Sequence, residues 1–503
     1  MRQQVLSSPR QEHAVPKGVA IKLDALVERH LAALLAVMAL GAALRFSTLT
    51  LQSYSLDEAV TVGLLHQSLR GMLAAIPHSE ATPPLYYIIA WGWSKLFGTG
   101  EIALRSLSAL LGTAAIPVTY AAARWLISRR GALIAAALVA VSPLLVWYSQ
   151  EARAYVLLSL LGALSLLFLA RALEGAQRAL VWWSVVSMLA LATHYFSVFF
   201  VAPEAAWLLI RLGKRRNVIL SIGAVSAVAV ALLPLAVYQE LGGRTSWIHN
   251  NPLRVRLSEV ATEFVGIGWL PHTALLGCAA GVLVVVGLLA WSSAEDQRGG
   301  LLALAIGAAA VVLPLALATA AHIAGQNDDY FYFRNVVGGW IPLAIAAAAV
   351  LGTRRAGILG AIMACALSAL LLSSVIRTDV RPNLQRDDWR GAVRTLGAAR
   401  ATRAILTDPD FKPILRLYRP SVVPMSKSGG RVDEIVLIVS GNSGTLSDFR
   451  APSGFEPAGR RQVQHLTLVD FRSRTLRQVT PDQLFLPNST NGLVVWDATR
   501  RSF

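Results

Sequence analysis

The chain has 503 residues, of which 55% are hydrophobic and 15% charged, with a mean hydropathy of +0.53. Soluble domains carry about 25% charged residues, so a purely soluble globular protein is excluded. Repeated apolar runs of membrane-spanning length identify an all-α polytopic membrane protein. The net charge of +17 does not mark a nucleic-acid binder, because the Lys and Arg residues gather in short loops between apolar runs, as cytoplasmic loops do. Cys278 and Cys365 each sit inside an apolar run. They form neither a disulfide framework nor a zinc site by spacing, and read as small core residues.

Residues 1–30 are polar and mixed in charge and read as a cytoplasmic tail without a cleavable signal. Leu31–Leu49 is the first span, followed by a loop of about residues 51–101. In this loop Val60–Ile76 has apolar residues at helical spacing around Gln67, Ser68 and Arg70, which predicts one helix lying on the membrane surface. Pro84–Phe97 is apolar but shorter than the ~17–25 residues a span needs, which predicts a surface or re-entrant helix. Ten further spans follow at about 102–124, 132–148, 154–170, 179–193, 196–211, 217–238, 272–292, 301–323, 335–352 and 356–376. With Pro84–Phe97 outside the count, the clusters Arg124/Arg129/Arg130, Arg171/Arg178, Arg211/Lys214/Arg215/Arg216 and Arg354/Arg355 all fall on the side of the N-terminus. The positive-inside rule therefore selects eleven spans in a membrane domain of residues 31–377, with the N-terminus cytoplasmic and the C-terminus outside.

From about residue 378 to 503 the chain is charged and punctuated by Pro and Gly, with 19 Lys/Arg against 12 Asp/Glu. Gln385-Arg386-Asp387-Asp388-Trp389 leads into a short helical segment, and β-rich runs follow at 404–406, 434–439, 465–469 and 493–496. This predicts a small extracytoplasmic α/β domain. Walker, GxGxxG and HExxH motifs are absent from the sequence.

The selected topology gathers the polar residues of interest on the outer face. Asp57-Glu58 opens the first loop, where a carboxylate at a cavity mouth can take a proton from an attacking hydroxyl. Ser55 or Asp57 could equally cap the helix that follows. Glu80, ahead of Pro83-Pro84, can orient a sugar hydroxyl, or share a divalent cation with Asp57 and His78. Arg153, in the turn Ser149–Arg153, and Arg334, after Tyr332-Phe333, suit phosphate oxygens. Snorkelling interfacial arginines within an aromatic belt would have the same pattern. Tyr155, His194-Tyr195 and Tyr332 are further candidate binding residues, while Asp328-Asp329 reads as a solvated loop.

These pieces in this order resemble a known family. Leu56-Asp57-Glu58-Ala59, Pro83-Pro84-Leu85-Tyr86-Tyr87, Arg105 with Leu110-Leu111-Gly112, Ser149–Tyr155, His194-Tyr195-Phe196 and Tyr332-Phe333-Arg334 are similar to the bacterial protein O-mannosyltransferase-like glycosyltransferases of the GT-C fold. The aminoarabinose transferase of lipid A is a relative in that family. The resemblance implies an integral membrane enzyme of the bacterial inner membrane. It takes a sugar, mannose-like or other, from a polyprenyl-phosphate donor at the outer face and gives it to a hydroxyl on a lipid, glycan or protein. It implies Asp57 as the base, Glu58 as the second catalytic acid of the pair, and Arg334 near the donor phosphate. Ala81 stands where the aminoarabinose transferase has a Lys after the glutamate that Glu80 matches. The rival reading is a flippase for a lipid-linked glycan, disfavoured because no broken-helix pair recurs in two halves of the chain.

Overall fold

The computed structural model describes residues 17–266, 281, 294–326, 329–398, 402–441, 449–484 and 493–498. The membrane part comprises α1 (Lys17–Phe46), α2 (Leu56–Leu65), α3 (Leu69–Ser79), α4 (Leu85–Phe97), α5 (Glu101–Leu126), α6 (Arg129–Val141), α7 (Pro143–Ser149), α8 (Tyr155–Leu173), α9 (Gln177–Thr193), α10 (Val198–Leu212), α11 (Arg216–Leu241), α12 (Leu253–Val265), α13 (Ala294–Ile323), α14 (Trp340–Leu351) and α15 (Gly357–Val380). Among the described residues seven helices are long and apolar enough to cross a membrane, or eight if the bent pair α6 and α7 is one span. The spans expected at 179–193 and 335–352 are helices of 17 and 12 residues, and the one expected at 272–292 lies outside the described residues, as does Cys278. Cys365 is exposed on α15; its neighbours Ile362 and Met363 are exposed too, so this face meets the surroundings rather than a core.

The first loop departs from expectation in one respect. Val60–Ile76 is not one helix, because α2 stops at Leu65 and α3 starts at Leu69. Ser68 causes the restart: its Oγ accepts the Gly71 N–H at 3.1 Å, capping the new helix. Gly98, with φ of +85°, terminates α4. The 13 residues of α4 extend about 20 Å at 1.5 Å per residue, well short of a hydrocarbon core of about 30 Å.

A buried arginine explains the break between α6 and α7, where the axes bend by 55°. Pro143 has no N–H, so Val139 keeps an unused carbonyl. Arg45 of α1 takes that carbonyl and the Ala140 carbonyl at 2.9 Å each, and also bonds Gly41 O and Ser149 Oγ. Gly112 is required opposite this group: a Cβ there would lie 2.0 Å from Ser149 Oγ and 3.0 Å from Arg45 Nε. Helix breaks inside a membrane are tolerated where protein re-satisfies the freed groups.

The helix order puts the basic clusters at one end of the bundle and the long loops at the other. At the basic end Ser128 bonds Gly352 O, and Arg130 bonds Gly357 O. At the other end lies the C-terminal domain: α16 (Trp389–Leu396), β1 (Thr402–Thr407), α17 (Lys412–Tyr418), β2 (Val422–Pro424), β3 (Gly430–Ser440), β4 (Glu456–Val463), β5 (Leu466–Val479) and β6 (Leu493–Ala498). The strands form one sheet in the order β2-β6-β1-β3-β5-β4, with β1 and β3 parallel and the other pairs antiparallel. The sheet docks on the first loop. Ser53 Oγ donates to Asp387 O at 2.8 Å and accepts Trp389 N at 3.1 Å, while the Tyr418 hydroxyl accepts Tyr54 N at 2.7 Å. Arg390 pairs with Glu101 at 2.8 Å, at the start of α5.

Candidate active site

The acidic pair at the start of α2 divides into two roles. Ser55 caps the helix: its Oγ accepts Glu58 N at 3.2 Å, and Glu58 Oε2 accepts Ser55 N at 2.9 Å, a capping box. Helical geometry then points Glu58 inward, where it is fully buried. Arg105 grips both of its oxygens at 2.8 and 2.6 Å and also takes the carbonyls of Leu49, Gln52 and Ser53. Ala152 N donates to Glu58 Oε1 at 2.9 Å. Glu58, expected to share the catalysis, therefore does not reach the cavity; it fixes the loop. Asp57, one residue away, points out of the helix and keeps 39% of its side chain exposed.

The partner of Asp57 is Arg334, whose Nη1 lies 2.8 Å from Asp57 Oδ2. Arg334 is held over Trp247 at 4.7 Å, Tyr332 at 5.6 Å and Tyr155 at 5.9 Å, measured to the ring centroids. The segment that presents it is locked by Asp329. Asp329 is buried, pairs with Arg256 Nη2 at 2.7 Å and accepts Phe331 N at 3.0 Å, and Arg256 Nη1 also takes the Phe331 carbonyl. The solvated loop expected here is thus corrected for Asp329, because a buried bidentate arginine holds its carboxylate; Asp328 lies outside the described residues.

Around these groups opens a cavity of about 450 Å³. It is lined by Asp57 and by six of the seven expected binding residues, Glu80, Arg153, Tyr155, His194, Tyr195 and Arg334. The seventh, Tyr332, stands behind Trp247, with ring centroids 5.1 Å apart. Glu80 Oε2 pairs with Arg153 Nη1 at 2.8 Å, so Asp57 and Glu80 each have an arginine of their own. Tyr195 donates its hydroxyl to Gln239 Oε1 at 2.7 Å, and Gln239 Nε2 donates to Thr82 O, tying α11 to the loop that carries Glu80. His194 Nδ1 accepts Phe196 N at 3.2 Å, which leaves a neutral ring with its proton on Nε2.

Of the three residues that could share a cation, Asp57 and Glu80 line the cavity and His78 does not. His78 bonds the Tyr238 hydroxyl at an exposed position, and no group of three or more His, Cys, Asp or Glu that could hold a metal ion occurs among the described residues. A smaller cavity of about 210 Å³ lies on the other side of Phe333, against Trp147 and Gln150. Phe333 and Arg334, adjacent in the chain, line different cavities.

The local field separates Asp57 from Glu80. Burial pushes Asp57 up, but Arg334 and Arg153 outweigh it and hold the carboxyl below its ordinary value. Burial of Glu80 outweighs Arg153 and raises it. Carboxylates pushed apart in this way are suited to different tasks: the depressed Asp57 stays ionised and free to take a proton, and the raised Glu80 lies closer to its protonated, hydrogen-bond-donating form. Burial, with Arg153 and Arg334 nearby, drops His194 to about 3, so it is neutral at physiological pH. Burial lifts Tyr332 to about 12, and it stays a phenol.

Sequence reasoning had Arg105 within the family pattern but not its grip on Glu58. It missed Trp247, Gln239 and Arg244 on the cavity wall, and Arg256. The available signal was Trp247 in the polar 239–271 loop, since a tryptophan face can hold a cation, as it does Arg334 here.

Residues 81–238 match the family model described as dolichyl-phosphate-mannose-protein mannosyltransferase. No curated protein matches the chain. Among solved structures, ArnT from Cupriavidus metallidurans in the apo state is similar over 89% of this chain and 98% of its own, with 13% identity and a TM-score of 0.54. Arabinofuranosyltransferase AftD from Mycobacteria is similar over 87% of this chain and 39% of its own, with 15% identity and a TM-score of 0.47. The archaeal oligosaccharyltransferase AglB from Archaeoglobus fulgidus, in complex with an inhibitory peptide and a dolichol-phosphate, is similar over 81% and 69%, with 13% identity and a TM-score of 0.43. The bundle, the looped end that carries the cavity and the small sheet domain above it make this chain a polytopic membrane protein of the GT-C fold, the fold it shares with ArnT.

Proposed function

We propose that the chain is an integral-membrane glycosyltransferase that moves a sugar from a polyprenyl-phosphate donor to an acceptor hydroxyl on a lipid, glycan or protein. The observation that carries this reading is the Asp57–Arg334 pair, a partly exposed carboxylate and a cation side by side on one cavity wall. In this reading Asp57 Oδ takes the acceptor proton as the acceptor oxygen attacks the anomeric carbon. The bond from that carbon to the phosphate oxygen breaks, and the carrier leaves as a phosphate monoester. Arg334 and Arg153 stabilise its growing charge, the part of such a reaction that preorganised cations serve best. The donor phosphate draws Arg334 from Asp57 as it enters, freeing the carboxylate for the acceptor. Glu80, His194 and Tyr195 orient sugar hydroxyls, and Glu58 holds the loop.

The basic clusters at the end of the bundle opposite the cavity support a cytoplasmic N-terminus, with the cavity and sheet domain on the outer face of a bacterial inner membrane. The match of residues 81–238 to the mannosyltransferase model supports a lipid-phosphate donor. The test is transfer of radiolabelled mannose, glucose or arabinose from undecaprenyl phosphate by purified protein, wild type against D57N. Label transfer by the wild type and its loss in D57N support the reading. A wild type inert with every donor overturns it and moves weight to the flippase.

A further inference from the structure

The catalytic reading uses Asp57, Arg334, Arg153 and Glu80, all from the membrane domain. Glu151 is buried beside them without a role, and its partner comes from elsewhere. Arg386, in the linker that follows α15, pairs its Nη2 with Glu151 Oε2 at 2.7 Å. Both side chains are buried, at 9% and 7% exposure. The guanidinium lies 4.2 Å from the centroid of Trp147, its Nη1 reaches the Gln150 carbonyl, and its backbone N–H donates to Gln52 Oε1 at 2.8 Å. An arginine stacked, paired and tied through its own backbone has little freedom left.

What Arg386 holds is the turn that builds the site. From the Glu151 anchor the next residue, Ala152, donates its N–H to Glu58, the neighbour of Asp57. The residue after that, Arg153, projects into the cavity to Glu80. Glu151 also faces like charges: burial raises its carboxyl, Arg386 opposes this, and Glu58 and Asp57 add to the rise. With Arg386 removed, a buried carboxylate would stand unpaired beside the acidic pair, the arrangement that costs most in a low-dielectric site.

We propose that Arg386 is a positioning residue for transfer: by neutralising Glu151 it keeps a stranded charge from displacing the Ser149–Arg153 turn, making the C-terminal domain a working part of the active site rather than an appended module. This rests on the glycosyltransferase reading. It differs from plain docking, because the contacts of Ser53, Tyr54 and Glu101 with the domain already attach it.

The experiment uses the full-length chain in nanodiscs, with whichever undecaprenyl-phosphate sugar of the panel the wild type turns over. For R386Q the expected result is a fall in kcat of tenfold or more, with donor KM within about threefold and the melting temperature measured alongside. In E151Q/R386Q the stranded charge is gone, and kcat is expected to recover to within about threefold of wild type. R386K, which keeps the charge without the planar stack, should fall between. A folded R386Q with wild-type kcat overturns the proposal, and so does a double variant as slow as R386Q. If R386Q does not fold, the double variant and R386K decide: a folded E151Q/R386Q with kcat near wild type supports the proposal, and one that is tenfold slower overturns it. Absence of transfer by the wild type overturns the functional reading and this inference with it, whereas a transferring wild type with insensitive variants overturns the inference alone.

Discussion

Arg334 Nη1 lies 2.8 Å from Asp57 Oδ2, although 277 positions separate the two residues in the chain. The contact closes the bundle across its cavity, joining the first loop to the segment before α14. It places one guanidinium of the cavity wall against the carboxylate expected to do the chemistry.

D57N removes the proton acceptor without changing shape. General bases contribute about 10²–10⁴-fold, so kcat in D57N is expected to fall by at least about a hundredfold. Binding of undecaprenyl phosphate, measured by microscale thermophoresis, should persist or tighten, because Arg334 is released from its carboxylate partner.

Glu58 next door predicts the opposite pattern. E58Q leaves Arg105 short of a charge in a fully buried site, where breaking one partner of a pair costs roughly 3–5 kcal/mol. The melting temperature should drop in E58Q and hold in D57N. Equal melting temperatures in the two variants would remove the distinction drawn between the two acids.

The acid limb of the pH–rate profile reports Asp57. In the free enzyme its carboxyl is held below the ordinary value by Arg334 and Arg153 against burial, so the base stays ionised down to that lowered value and kcat/KM, which reports the free enzyme, declines only below it. R334Q removes the larger cationic contribution, the carboxyl titrates higher, and the acid limb should move to higher pH. A limb that stays in place, or moves down, argues against Asp57 as the base.

The Arg256–Asp329 lock predicts a loss of stability distant from the cavity wall. D329N strands Arg256, which is 1% exposed, and should cost about 3 kcal/mol or more, together with higher donor KM as Arg334 loses its frame. The depressed Asp329 carboxyl contributes stability that is present above the ordinary carboxylate pKa and lost as pH falls through its folded value. Acid should therefore narrow the gap between wild type and D329N in thermal melts.

Asp57 and Glu80 are already committed to arginines, Asp57 to Arg334 and Glu80 to Arg153. Charge on the leaving phosphate is therefore assigned to guanidinium groups, and EDTA is expected to leave transfer within about twofold. A collapse in the presence of chelator that added Mg²⁺ or Mn²⁺ reverses would reassign the phosphate contact.

Much of the bundle was legible because apolar length and Lys/Arg placement act locally and one at a time. The spans at 102–124, 154–170 and 217–238 match α5, α8 and α11 to within a few residues. The two roles of Asp57 and Glu58 were not legible, since which acid turns inward depends on the Ser55 cap meeting Arg105, 47 positions beyond Glu58. Strand β4 was missed because Glu456–Val463 holds Pro457, Gly459 and two arginines. Such residues suit an exposed sheet edge rather than an alternating strand. Asp329 was misjudged because nothing near it in the chain announces Arg256.

Arg45 has a consequence for how the chain enters the membrane. Its guanidinium is satisfied by carbonyls of Val139 and Ala140, 94 and 95 residues downstream, which do not exist when the first span leaves the ribosome. Arg45 therefore gains these partners only once the end of α6 has been made. The packing of this end of the bundle therefore waits on the later segment, and substituting Pro143 would return the Val139 carbonyl to the helix and leave Arg45 with Gly41 O, Ala140 O and Ser149 Oγ.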